Sequence, residues 1–253
     1  MATATFNKPR VVPREEWLAA RRNLLVKEKE LTRAKDAIAA ERRQLPMVKV
    51  EKDYVFEGPE GSVKLAELFG DRSQLLINHF MFGPDWEEGC VGCSFSADHI
   101  DGGLIHLQQR DVAFVAVARA PYPKIEAFQQ RMGWRFPWVS SFGSDFNFDY
   151  GVSFPPEQAE RGEIDYNFAT QPFFMDEMSG FSVFFKDADG VVYHTYSVFG
   201  RGAEEVLTTY VLLDLTLKGR DEERDLSEWV KLHDQYGAAE ATGCCHGQGA
   251  SQA

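Results

Sequence analysis

A mixed α/β domain, its central sheet flanked by helices, is the fold class this sequence predicts, and three observations carry it. From residue 48 onwards, apolar strand-like runs alternate with helical stretches. Near residue 181 the alternation gives way to two strand-like runs split by Asp187-Ala-Asp-Gly190, a hairpin signal. A last helical stretch, 204–213, closes the series.

Each element has its own reason. Pro13 can open a helix, since its missing N–H would be unpaired in the first turn, and no Gly or Pro interrupts from there to Leu45. Trp17, Leu24, Leu31, Ile38 and Leu45 recur every seven residues on that helix. The stripe is narrow and suits a coiled-coil seam, or docking on the chain's own body or on a dimer mate. After Pro46 the pattern turns to strands, Val48–Glu51 and Tyr54–Phe56, with Gly58-Pro59-Glu60-Gly61 as the turn towards Val63. Leu65–Phe69 reads as a short helical turn closed by Gly70. Leu75–Phe82 is nearly all apolar, as a strand buried on both faces should be, and a loop then delivers Cys90. A helix is expected over 93–109, weakened at Gly102-Gly103, then a strand at 112–117, a helix at 124–132 and a short strand at 136–139. The aromatic stretch 142–178 is too long for a plain loop and reads as a packed insertion. The order βαβ–β–ββα is that of a thioredoxin-like domain, with a parallel first half and an antiparallel second half. The expected layout is an N-terminal helical arm (1–45), a thioredoxin-like domain (46–217) and a charged, partly flexible tail (218–253).

Composition narrows the function. The chain has 253 residues, is 44% hydrophobic and holds 20 Phe, which suits a packed interior. Its net charge of −12 disfavours a nucleic-acid role driven by phosphate neutralisation. The charge is uneven, since residues 1–45 carry +5 and the remainder −17. No apolar run approaches the roughly 18 residues of a membrane span. The opening MATATFNKPR lacks a signal-peptide core, so a soluble cytoplasmic protein without a membrane partner is expected.

Four cysteines cannot be the main source of stability in a chain this long. Cys90 and Cys93 are spaced Cys-x-x-Cys after a buried strand and at the start of a helix. Unpaired N–H groups and the helix dipole favour a thiolate there, and the thiolate is the nucleophile. Cys90 is therefore expected to attack and Cys93, one turn inside, to resolve. Glu87 and Glu88 oppose this, because nearby carboxylates raise a thiol pKa and no Lys or Arg lies between Arg72 and Arg110. Asp98 and His99 are candidate proton relays.

The chain resembles a bacterial thioredoxin-like family, the domain of unknown function numbered 899. The resemblance rests on Phe6-Asn-Lys-Pro-Arg-Val-Val, the run from His79 to Cys90, Cys93-Ser-Phe, Asp98-His-Ile-Asp101 and the run from Met132 to Asn147. It continues through His194-Thr-Tyr-Ser to Asp214–Arg220 and so covers nearly the whole chain. It implies a thioredoxin-like fold with a redox-type Cys pair and supplies no substrate. Two relatives of the fold differ in detail. Where peroxiredoxins carry Pro and Thr ahead of the cysteine, this chain has Gly83 and Glu87, with Pro84 one place off. Where thioredoxins carry Gly-Pro between the cysteines and a Pro before the late strand, it has Val91-Gly92 and Ser179-Gly180.

The primary expectation is thus a thiol–disulfide oxidoreductase that needs no cofactor and acts on a thiol, disulfide or small-molecule substrate. The alternative is copper or zinc held by Cys90, Cys93, His194 and His79, since thiolate with imidazole suits both metals. A third reading is a non-catalytic interaction protein. Cys244-Cys245-His246 could serve as an exchange arm or catch a soft metal. Asp53, Arg119, Trp134, Arg135 and Trp138 are candidates to line a pocket beside the cysteines, with 142–178 as its lid.

Overall fold

The structure is a computed structural model and describes residues 8–237. The chain divides into two units, Met1–Val48 and Lys49–Ala253. In the first, α1 (Arg14–Arg42) begins after Pro13, with Glu15 and Glu16 in the first turn and Arg42 in the last, charges that suit the helix dipole. It buries no residue, and Trp17, Leu24, Leu31 and Ile38 are each at least half exposed. A two-residue strand, β1 (Val48–Lys49), spans the boundary.

The second unit opens with the hairpin β2 (Val55–Gly58) and β3 (Gly61–Lys64). Next come β4 (Gln74–His79), α2 (Val91–Ile100), α3 (Leu104–Gln108), β5 (Val112–Ala118), α4 (Tyr122–Met132) and β6 (Trp138–Ser140). The insertion supplies α5 (Phe146–Asp149), α6 (Pro156–Arg161) and the separate hairpin β7 (Glu163–Tyr166) and β8 (Ala169–Pro172). The chain re-enters the main sheet through β9 (Gly180–Lys186) and β10 (Val192–Phe199) before α7 (Thr208–Asp214). Within this unit the sheet runs β10-β9-β4-β5-β6-β2-β3. β4 and β5 pair in parallel, as do β5 and β6, while β9 is antiparallel to both β4 and β10. Numbered one to four in chain order, the strands β4, β5, β9 and β10 lie in the order four–three–one–two across the sheet, so the fold is thioredoxin-like.

Each sheet face has its own core. Leu75, Ile77, Val115, Val117 and Phe184 join Tyr54, Phe69 and Phe146 on one side. Leu76, Phe114 and Ala116 join Phe80, Cys93, Phe128, Trp134 and Trp138 on the other, under α2 and α4. The alternation along β4 and β5 is the strand period of two.

Some elements differ from expectation. The helix expected over 93–109 starts at Val91 and breaks into a 3-10 turn at Asp101–Gly103, where Gly102-Gly103 weaken the helix. The last helix is preceded by a 3-10 stretch, Gly200–Val206. The insertion is packed, with Phe146, Val152, Phe154, Ile164 and Tyr166 all buried. Within the segment expected as a tail, Val230 and Leu232 are buried against the rest of the second unit. Among the described residues no helix is long and apolar enough to cross a membrane.

Candidate active site

Cys90 is the N-cap of α2, delivered there by the loop that follows β4. Its N–H donates to the Met81 carbonyl (2.9 Å), which ties the loop back onto the residues just past β4. Its own carbonyl accepts from the Ser94 N–H and the Ser94 hydroxyl, both at 2.9 Å, and so closes the first helical turn. Cys90 remains partly exposed and Cys93 is buried, both as free thiols. A Cβ on Gly89 would come within 2.7 Å of the Phe80 and Phe128 rings, so only glycine lets the loop pass this closely.

The two sulfurs divide the work electrostatically. The Cys93 thiol hydrogen-bonds to Cys90, and the backbone N–H groups of Cys93 and Gly92 point at it as well. These donors outweigh the cost of burial and pull the Cys90 thiol down to about 7. Cys93 moves the other way, because it donates to Cys90, is buried and faces the Cys90 charge, against a weaker pull from the Met81 N–H (3.5 Å). The expected opposition from Glu87 and Glu88 is not what sets the pair. Glu88 is bound by Arg131 of α4, and Lys124 caps the Pro84 and Trp86 carbonyls of the same loop (both 3.1 Å). The compensating cations come from far along the chain.

Leu226 covers the outer side of the site, with its Cδ1 3.2 Å from where a Cβ on Gly92 would stand. Leu226, Trp229 and Val230 pack with Val91, Phe95, Leu207 and Tyr210, while Leu232 joins the cluster around Cys93. Behind the pair lies an aromatic wall of Phe80, Phe128, Trp134 and Trp138, with Phe80 and Trp138 centroids 4.5 Å apart. Trp134 and Trp138 therefore stand beside the cysteines as expected, but as core. Arg135 pairs with Asp101 at the surface, and Asp53 is exposed on a different part of the unit. Arg119 holds Glu177 (2.6 Å), which is 1% exposed and accepts from Ser153 as well (2.6 Å). Sequence reading missed this buried carboxylate, which carries no motif.

Other expected site residues go elsewhere. Asp98 accepts from Trp134 Nε1 and His233 Nδ1, both at 2.7 Å. His99 contacts Thr209 through both the hydroxyl (2.7 Å) and the N–H (3.1 Å). These bonds spend both groups on packing rather than on a thiol. The copper or zinc set of Cys90, Cys93, His194 and His79 is not assembled. His79 lies on the sheet face opposite Cys93, where Ser182 and Ser197 link it to His194. Among the described residues no group of three or more His, Cys, Asp or Glu side chains could hold a metal. Cys244, Cys245 and His246 lie outside the described residues.

Tyr166 is a second residue that sequence reading missed. Its hydroxyl donates to the Ser179 carbonyl (2.6 Å) and accepts from the Gly200 N–H (2.9 Å), bracing the entry to β9. Burial pushes its phenol up, and the Cys93 charge adds to the push. Ser179-Gly180 here stands where a thioredoxin has its cis-proline, and the described chain has no cis peptide. Gly180 is held by sterics, since a Cβ there would lie 2.4 Å from the Phe199 ring.

A family model described as bacterial protein of unknown function (DUF899) matches residues 6–236. No curated protein matches the chain. Among solved structures, peroxiredoxin Q of Xanthomonas campestris is similar at 12% identity and a TM-score of 0.44, over 70% of this chain and 99% of that one. Peroxidoxin BcpB of Mycobacterium tuberculosis is similar at 15% identity and a TM-score of 0.39, over 65% of this chain and 94% of its own. A putative thiol:disulfide interchange protein DsbE of Chlorobium tepidum reaches 17% identity and a TM-score of 0.39, over 68% and 99%.

Proposed function

The chain belongs to the DUF899 family of bacterial proteins, and from that premise we propose that it is a thiol–disulfide oxidoreductase working through Cys90 and Cys93. One observation carries the reading: a partly exposed thiol caps a helix N-terminus, and a buried partner thiol three residues on hydrogen-bonds to it and lowers its pKa. That lowering raises the thiolate share of Cys90 near neutral pH, towards the optimum for an attacking thiol.

The Cys90 thiolate attacks one sulfur of a substrate disulfide. A mixed disulfide forms, and the other substrate sulfur leaves as a thiolate that takes up a proton. Cys93 then gives up its proton and attacks Cys90 Sγ, which releases the second substrate thiol and leaves a Cys90–Cys93 disulfide. The substrate is reduced by two electrons and the pair is oxidised by two. Loss of the first negative charge on Cys90 removes one of the causes that hold Cys93 protonated, so the second step follows the first. Burial of Cys93 keeps it from attacking outside disulfides itself.

Trapping tests the reading. Cys93→Ser, in a chain that also carries Cys244→Ser and Cys245→Ser, should accumulate a mixed disulfide on Cys90 when given oxidised glutathione. Cys90→Ser should trap none. Equal labelling of the two variants would refute the assignment of attacking and resolving thiols.

A further inference from the structure

The face of the sheet away from the cysteines carries a device that thiol exchange does not use. His79 Nε2 meets Ser182 Oγ at 2.7 Å, Ser182 meets Ser197 at 2.8 Å, and Ser197 meets His194 Nε2 at 2.8 Å. A regular strand would not build this chain, because residues three apart point to opposite faces. A bulge between His194 and Tyr196 of β10 shifts the register and brings His194 and Ser197 to the same side. Bulges cost pairing and serve to re-aim a side chain, and here the re-aimed side chain lies at a cavity.

That cavity is about 520 Å³, within the range of small-molecule sites. His194, Ser197, Tyr150 and Phe199 line it, together with the tip of the β7–β8 hairpin. The tip is itself unusual. Asn167 (φ 53°) and Phe168 (φ 62°) both take the left-handed conformation of a tight hairpin turn, where glycine is strongly preferred at the second position. Phe168 is 83% exposed, yet its ring stands edge-on to Phe199 at 5.6 Å over the cavity. Folding alone favours glycine at this position, whereas an aromatic ligand under the ring would favour phenylalanine.

Polarity narrows the occupant. His194 Nε2 also lies 3.1 Å from the Tyr196 carbonyl, which can only accept, so the proton of the neutral ring sits on Nε2. The other nitrogen, Nδ1, is then an acceptor, with no hydrogen-bond partner among the described residues. Asp149 and Asp165 line the cavity and no Lys or Arg does. Asp149 pairs with Lys52 (2.8 Å) and accepts from Tyr54 (2.7 Å), whereas the Asp165 carboxylate accepts from the Thr170 hydroxyl (2.7 Å) and has no cation partner among the described residues. We propose that the cavity binds an arylalkylamine, with its ring between Phe168, Phe199 and Tyr150, an O–H or N–H donor on His194, and its ammonium towards Asp165.

Calorimetric titration of the full-length protein with tyramine, and separately with 4-hydroxyphenylacetate, tests this. Tyramine should bind at least about tenfold more tightly than the carboxylate, which Asp165 repels. Phe168→Ala should weaken tyramine about fivefold, the usual value of one aromatic pair. Phe168→Gly should weaken it equally while raising the Tm, a combination that a purely structural phenylalanine would not give. Cys90→Ser should bind as the unaltered chain does. Absence of binding at millimolar tyramine, equal affinity for the carboxylate, indifference to Phe168, or sensitivity to Cys90 would each overturn the assignment.

Discussion

Replacing Cys93 with alanine removes the thiol that donates to Cys90, while the N–H groups of residues 92 and 93 stay in place. A hydrogen bond to a charged group is worth about 1.5–3 kcal/mol, and one pKa unit is about 1.36 kcal/mol. Loss of the bond should therefore raise the Cys90 pKa by about one to two units, from about 7 towards the ordinary thiol range. Reactivity is gained as pH rises through the thiol pKa, so the alkylation profile should move upward by that amount. At pH 7 the thiolate share, and with it the iodoacetamide rate, should fall about 5- to 50-fold. Cys93→Ser keeps a hydroxyl donor and should move less. The assay is alkylation rate against pH, read at the Cys90 peptide by mass spectrometry in the Cys244→Ser/Cys245→Ser background. A midpoint that stays near 7 in Cys93→Ala would refute the claim that the partner thiol activates Cys90.

Three further outcomes can be checked by simpler means. Leu226→Ala should speed Cys90 alkylation several-fold at fixed pH without moving the midpoint, because it uncovers the helix N-terminus and leaves the donors alone. Gly180→Ala places a Cβ 2.4 Å from Phe199 and should lower unfolding stability in urea by about 1–3 kcal/mol. Glu177→Ala strands Arg119 and should cost about 3 kcal/mol in the same assay, the low end for a broken buried pair because Arg119 retains some solvent contact.

The part of the site closest in sequence was the most legible. An apolar run, a loop and Cys-x-x-Cys at a helix start are local signals, and β4, Cys90 and α2 follow from them. The hairpin of β9 and β10 was readable for the same reason, from two strand patterns about a Gly-containing turn. What sequence reading missed depends on contacts between distant residues. Glu88 reads as an obstacle to a thiolate until Arg131, 43 residues later, is seen to bind it. His79 and His194 look like ligands converging on the cysteines, because strand parity along β4 and the bulge in β10 are invisible without the pairing register. Leu226, Trp229, Val230 and Leu232 are spaced among charges, so the segment reads as a tail although each finds an apolar partner. Glu177 gives no local sign of the burial that Arg119 and Ser153 make tolerable.

The central claim, that Cys90 and Cys93 exchange electrons as a pair, is tested most directly by a glutathione redox titration of the metal-free Cys244→Ser/Cys245→Ser protein, read by alkylation and intact mass. The account predicts a single two-electron transition confined to Cys90 and Cys93, with a midpoint above about −300 mV. Two free thiols that persist across the whole range, or a transition that leaves either cysteine alkylatable, would contradict it.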